Sequence, residues 1–422
     1  MQPFHQIEAC RDELIALRRD FHRHPELGFE EFRTAEVIEN YLKSLGLPTR
    51  RVAGTGVVAL LDGAAPGPVL MLRADMDALP ISEANEVEYK SQNPGVMHAC
   101  GHDAHMAMLL IAAKVLSKNR AAFEGTVKFV FQPNEEVAGA LHMIEAGVLE
   151  APSVEAAMGI HVWTPIPSGR IGITAGPVMG GLDVFKMAIF GKGGHTGVPE
   201  DAIDPVIAAA NLIQTVQMIQ TREISNLKST IIMFGRICGG TKSNIIPDQV
   251  ELEGSIRFLY KGGPDSKEQP TERFQRVAEQ VCRTHRCTCR IEIVHENIPL
   301  INDPGMVAVA RQAAAHVFGQ ESAVIDNVTI ASEDFSEFSR RVPGVFMFLG
   351  AGNAAKGTTV SHHNPRFNID EDVLVNGVAM HVQGALNYFT KIQKCKKEAS
   401  SQRIETALTT TARSDELKMK GV

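Results

Sequence analysis

The chain has 422 residues, enough for two or three domains as a prior, and its 22% charged and 44% hydrophobic residues are ordinary for a globular protein. A net charge of −7 argues against nucleic-acid binding, which wants a basic face, and no apolar run reaches the roughly 18 residues of a membrane span. Seven cysteines form no even framework, and the first 23 residues are charged and amphipathic without a signal core, so a reduced, cytoplasmic protein is expected.

Residues 6–23 and 31–45 carry helical periodicity, broken by His24-Pro25-Glu26-Leu27-Gly28. Val57-Val58-Ala59-Leu60-Leu61 and Val69-Leu70-Met71-Leu72-Arg73 are short apolar runs bounded by Gly, Pro and Asp, the pattern of buried strands. The second runs into Asp75-Met76-Asp77, and open α/β sheets place their sites at such strand ends. Asp75 reads equally as support for a ligand and as a strand-end cap.

Met97-His98-Ala99-Cys100-Gly101-His102-Asp103-Ala104-His105 follows, ahead of a mostly apolar run at 106–116. With Asp103 near the first turn of a helix, Cys100 and His102 sit at its mouth, where partial positive charge and free N–H groups lower a thiol pKa. Thiolate beside imidazole suits a borderline-soft ion such as zinc. Cys100 and His102 are therefore read as metal ligands, and His98 and His105 as groups supporting them. A strand at 125–131 leads into Gln132-Pro133-Asn134-Glu135-Glu136, and a further one at 157–162 carries His161. Three strand ends thus bear Asp/Asp, Glu/Glu and His on one alternating β/α pattern, which points to a shared site.

After Gly180-Gly181 the pattern changes. Strands are expected at 183–190, 229–237, 249–259 and 288–295, with helices at 203–220 and 271–284, a β-α-β-β-α-β order of ferredoxin-like type. Within 249–259, Val250, Leu252, Ile256 and Phe258 alternate with polar residues, as in a half-exposed strand. Cys282, His285, Cys287 and Cys289 suggest zinc, but Cys287, Cys289, Ile291 and Ile293 alternate on one strand face and are better explained as core. An inserted domain over 184–300 follows, ending near Pro299. Then come a helix at 304–318, a strand at 324–330, Ala331-Ser332-Glu333-Asp334-Phe335 capping a short helix, and an apolar strand at 345–350. His362-His363-Asn364-Pro365 lies in a loop before a last helix at 371–392, and 394–422 is a polar tail.

Leu72-Arg73-Ala74-Asp75-Met76-Asp77-Ala78-Leu79-Pro80, the 98–105 stretch, Phe131-Gln132-Pro133-Asn134-Glu135-Glu136, Gly159-Ile160-His161, Gly193-Gly194-His195 and His363-Asn364-Pro365 stand in matching order over about residues 10–392. The chain resembles the dinuclear metallo-amidohydrolases of the aminoacylase and carboxypeptidase family. It is most similar to the subgroup of hippurate hydrolases, N-acetyl-diaminopimelate deacetylases and auxin-conjugate hydrolases. The resemblance implies an α/β catalytic domain (1–183 and 301–393) with a mixed, mostly parallel sheet flanked by helices. It also implies a ferredoxin-like α+β lid (184–300) that mediates dimerisation, and two divalent ions per subunit among zinc, manganese, cobalt and nickel.

By the same resemblance Cys100 bridges two metals, and His102, Glu136, His161 and His363 complete the ligand set. Glu135 resembles the general base, Asp77 the carboxylate that orients a neighbouring ligand, and Asn244 a lid contact to substrate. His195 resembles a lid histidine that reaches the scissile group, often in the partner subunit. His362 precedes His363, so the ligand assignment stands between the two; His363 is preferred because it directly precedes Asn-Pro. Two metals about 3.5–4 Å apart can share a water and lower its pKa towards about 7, and a thiolate is the soft choice of bridging anion.

The expected reaction is hydrolysis of the amide of an N-acyl (acetyl, benzoyl or similar) amino acid by a homodimer or homotetramer. Carboxypeptidase or dipeptidase action on the same centre stays open. A metal-free cysteine hydrolase, with Cys100 as nucleophile and His102 as base, leaves Glu135, Glu136, His161 and His363 unexplained. A non-catalytic binding protein is disfavoured by the presence of Glu135.

Overall fold

In a computed structural model that describes residues 2–260 and 269–394, the apolar runs become neighbours in one eight-stranded sheet. Its order is Thr49–Val52, Gly56–Asp62, Thr126–Gln132, Val69–Asp75, Ala156–Pro167, Gly344–Gly352, Ile171–Gly172 and Val324–Ile325. Val69–Asp75 runs parallel to both neighbours, and Ala156–Pro167 parallel to Gly344–Gly352. Gly56–Asp62 meets both its neighbours antiparallel. The sheet is therefore mixed and mostly parallel.

A strand covered on both faces must be apolar on both, which is why 69–74 reads as a run rather than an alternation. Leu70, Leu72 and Ala74 face a core completed by helices Arg11–Arg23, Phe32–Ser44, His102–Lys118, Pro304–Phe318 and 374–394. Val69 and Met71 face a second core with Met143 and Phe335. Helix His102–Lys118 is buried around nearly its whole circumference, which accounts for its lack of a polar face. It starts at Gly101, whose φ is 96°. A Cβ there would lie 2.3 Å from Val162 Cγ2, so both backbone and space require glycine between Cys100 and His102.

A four-stranded antiparallel sheet is built from Thr230–Gly239, Gln249–Phe258, Gly181–Phe190 and Thr288–Asn297, in that order. Helices Pro205–Thr215 and Pro270–Thr284 contribute to its core, so the connectivity is β-α-β-β-α-β. Val250, Leu252, Ile256 and Phe258 are its buried residues on Gln249–Phe258. Cys282 and Cys287 are buried in the same core and Cys289 packs against it, thiols behaving as small hydrophobes.

Several elements differ from the sequence reading. The 6–23 helix is two, Gln2–Glu8 and Arg11–Arg23. The 203–220 helix ends at Thr215, and a π-turn follows at Ile219–Glu223. The 324–330 strand is only Val324–Ile325, because Asn327 N–H donates to Thr174 Oγ1 and Thr329 N–H to the Val178 carbonyl instead of continuing one ladder. His161 lies in the middle of Ala156–Pro167, not at its end. Apart from its first residue, the 394–422 tail lies outside the described residues. No helix among the described residues is long and apolar enough to cross a membrane.

Candidate metal centre

The turn at Gly101 brings Cys100 and His102 together at the helix start, and backbone carbonyls then set the imidazoles. A carbonyl only accepts, so the ring nitrogen facing it carries the proton. His102 Nδ1 donates to the Asp77 carbonyl at 2.9 Å, leaving Nε2 buried and without a hydrogen bond among the described residues. His161 Nδ1 donates to the Val162 carbonyl at 2.6 Å, leaving Nε2 3.4 Å from Cys100 Sγ.

Glu135 and Glu136 sit in the 3-10 turn Glu135–Val137, flanked by Asn134 (φ 54°) and Ala138 (φ 62°). Two left-handed non-glycine residues in one turn are costly and persist only where the surroundings over-determine them. Asn134 N–H donates to Glu31 at 2.9 Å and Glu136 N–H to Asp77 Oδ2 at 3.0 Å. Asp77 thus serves both sides, with its carbonyl on His102 and its carboxylate on the acid turn. Glu136 Oε1, buried and without a hydrogen bond among the described residues, lies 3.3 Å from His363 Nε2.

These side chains form two triads with one common member. Cys100, His102 and His161 place ligand atoms within 4.8 Å of one another, and so do Cys100, Glu136 and His363. The ligand atoms are one sulfur, imidazole nitrogens and a carboxylate oxygen, the set that borderline-soft divalent ions take. The unpartnered His102 Nε2 and Glu136 Oε1 point to a cationic occupant, so the residues present fit a metal pair. His363, rather than His362, belongs to this group, because His362 Nε2 is committed to the Val162 carbonyl at 2.9 Å.

The electrostatics correct one expectation. Burial, followed by Glu136, Glu135 and Asp75, pushes the Cys100 thiol well above its ordinary value. Burial and these carboxylates oppose the ionised thiol, and a positive charge beside it would favour ionisation. Burial likewise pushes Glu135 well up, helped by Glu333, Glu136 and Asp334. Burial, with His105 and His362, holds His161 well down and neutral, as a ligand must be. Burial opposes charge on His102, but Asp75, Asp77 and Glu136 raise it to about 10. A pocket that holds these protons releases them when cations enter.

The sequence reading missed the layer beneath. Arg73 is fully buried and uses its whole fork, donating to Gln132 at 2.9 Å, Asp75 at 2.7 Å, and Glu333 and Asp334 at 2.9 Å each. Asp75 also pairs with His105 Nδ1 at 2.6 Å, while His105 Nε2 accepts from Val162 N–H. Asp75 is therefore a support for the imidazole layer. The only signals in the sequence were Asp75 and the acidic pair after 331. His98 is buried with neither ring nitrogen hydrogen-bonded among the described residues.

His195 and Asn244 stand apart. His195 pairs with Ile245 in a two-stranded ribbon and is exposed, its Nδ1 accepting from Gly197 N–H. Asn244, also exposed, adjoins it through its carbonyl and Thr196 N–H. Among the described residues no hydrogen bond or ion pair joins either to the Cys100 cluster.

Residues 71–387 match the model of peptidase family M20/M25/M40. The chain is 35% identical over 391 residues to thermostable carboxypeptidase 2 of Saccharolobus solfataricus, covering 91% of this chain and 98% of that one. It is 39% identical over 374 residues to N-acetyl-L-cysteine deacetylase of Bacillus subtilis, covering 87% and 86%. Among solved structures it is similar to a Bacillus subtilis protein described as a dinuclear metal-binding peptidase from the M20 family. The TM-score is 0.79 at 33% identity, with 91% of this chain and 99% of that one covered.

Proposed function

The chain belongs to peptidase family M20/M25/M40, and from that premise we propose that it hydrolyses the amide bond of N-acyl amino acids, releasing a carboxylate and an amino acid. The observation that carries the reading is Cys100 common to two ligand triads. Cys100, His102, Glu136, His161 and His363 would hold two divalent ions. When bound, these supply Lewis acidity and an acidified water. Glu135, buried with Oε2 3.8 Å from His102 Nε2, takes the proton of the attacking water and delivers it to the leaving amine. Asp77 holds His102 in the tautomer that leaves its Nε2 lone pair inward, while Asp75 and the Val162 N–H fix the tautomer of His105.

We assign the segment 184–300 as a lid, with 1–183 and 301–393 as the catalytic unit. Its movement would carry His195 and Asn244 to the scissile group, from the same or a partner subunit of a cytoplasmic homodimer or homotetramer. Imidazole and amide donors arriving only on closure stabilise an oxyanion while excluding water. The 35% identity to a carboxypeptidase supports peptide cleavage as the second reading.

The test is amine release from N-acetyl, N-benzoyl and longer N-acyl amino acids and from dipeptides, before chelation, after it, and after adding back single metals. Activity that survives removal of the metal would sink the dinuclear reading and favour Cys100 as a nucleophile. Turnover of dipeptides alone would favour the second reading.

A further inference from the structure

The histidine that the ligand set leaves out has its own place. His362 is half-buried, and its ring stacks on Trp163 at 4.5 Å and 26° and lies 4.9 Å from Phe367. Its Nε2–H donates to the Val162 carbonyl at 2.9 Å, the same oxygen that accepts from His161 Nδ1 at 2.6 Å. The N–H of Val162 in turn donates to His105 Nε2 at 2.9 Å. One residue's backbone therefore ties three imidazoles: His161, a member of the first triad, His105 beside it, and His362, adjacent in sequence to His363 of the second.

That adjacency matters because His363 is half-exposed and left-handed, with φ 61°. A non-glycine residue keeps such a backbone only if its neighbours impose it. Two contacts do so here: His363 N–H donates to the Ala99 carbonyl at 2.9 Å, and the His362 ring is wedged between Trp163 and Phe367 with its donor on Val162. We propose that His362 is a positioning residue that sets the aim of His363 and couples the second triad to the first through the Val162 carbonyl. This rests on the dinuclear reading above. It makes Trp163, the chain's only tryptophan, a reporter of the His363 loop.

The test is metal titration of chelator-stripped protein with Zn2+ or Mn2+, resolving two affinities by chelator competition while following Trp163 emission. His362→Phe keeps the wedge and deletes the donor; His362→Gln restores a donor of similar reach. In His362→Phe the ion that His363→Ala abolishes should bind about 10–100-fold more weakly, as for lost outer partners of ligands generally. The other ion should hold, and His362→Gln should recover part of the loss. In the wild type, loading the second ion should shift Trp163 emission, and in His363→Ala it should not.

A wild type that binds fewer than two ions overturns the dinuclear reading and this inference with it. A wild type with two ions beside a His362→Phe protein that holds both at wild-type affinity overturns the positioning role alone. So does a His362→Gln protein no better than His362→Phe, or emission that ignores the second ion.

Discussion

Replacing Asp334 by alanine tests the layer beneath the candidate centre. Asp334 is fully buried and accepts from Arg73 Nη2 at 2.9 Å, from Gln132 Nε2 at 2.9 and 2.8 Å, and from Ala140 N–H at 2.8 Å. Asp334→Ala leaves the Gln132 amide and the Ala140 N–H facing a void, each at about 1–3 kcal/mol for an unsatisfied buried donor. Arg73 retains Asp75, Glu333 and Gln132, so its loss falls at the low end. The sum is about 3–7 kcal/mol, overlapping the roughly 3–5 kcal/mol usual for breaking a buried ionic contact from one side. Gln132 and Ala140 bracket the acid turn, so turnover should fall with stability. Urea unfolding of the metal-free protein, followed by ellipticity, measures the first, and Asp334→Asn, which keeps one acceptor, should fall between. Lys90→Ala, at a loop ion pair with the exposed Glu86, should stay within about 0.5 kcal/mol. A loss below about 1 kcal/mol for Asp334→Ala would show that the layer does not hold the turn.

Glu135→Gln should lower kcat by about 10²–10⁴-fold while keeping both ions; kcat within tenfold of wild type, with metal bound, removes Glu135 as the base. Cys100→Ala deletes the sulfur common to both triads and should cost both ions, measured as metal content after dialysis; two ions retained would take Cys100 out of the centre. His381 is buried with Nδ1 unbonded among the described residues, and burial, then His105, press its pKa down to about 3. Unfolded, it titrates near about 6.5. Between those values the unfolded chain binds the extra proton, so stability is full above about 6.5 and is lost as pH falls. His381→Leu should flatten that acid slope in urea titrations at several pH values; identical slopes would refute the assignment.

What could be read from the sequence is what local chemistry writes locally. The alternation in Gln249–Phe258 survives as its burial pattern, and the crowding of Cys100 and His102 around Gly101 predicts their meeting. Glu333 and Asp334 looked like helix caps because their partner, Arg73, lies some 260 positions away in the chain. His161 looked like a strand end because the apolar run stops near it, yet the ladder with Gly344–Gly352 carries the strand on to Pro167. The thiol follows the same rule: the helix start is visible in sequence, but the burial and the carboxylates that raise its pKa arrive by folding.

The place of Gly344–Gly352, between Ala156–Pro167 and Ile171–Gly172, has a consequence for biosynthesis. A ribosome adding about 5–20 residues per second delivers this inner strand on the order of ten to thirty seconds after the neighbours it must join. Until then the edge of Ala156–Pro167 is unpaired, an invitation to wrong partners. The four-stranded sheet, contiguous from Gly181 to Asn297, can close in the interval. A nascent chain paused near residue 300 therefore carries a finished appendage on an open half-sheet that lacks Asp334 and His363. The proposed ligand set is complete only in the finished polypeptide, and the waiting edge is where a chaperone has most to protect.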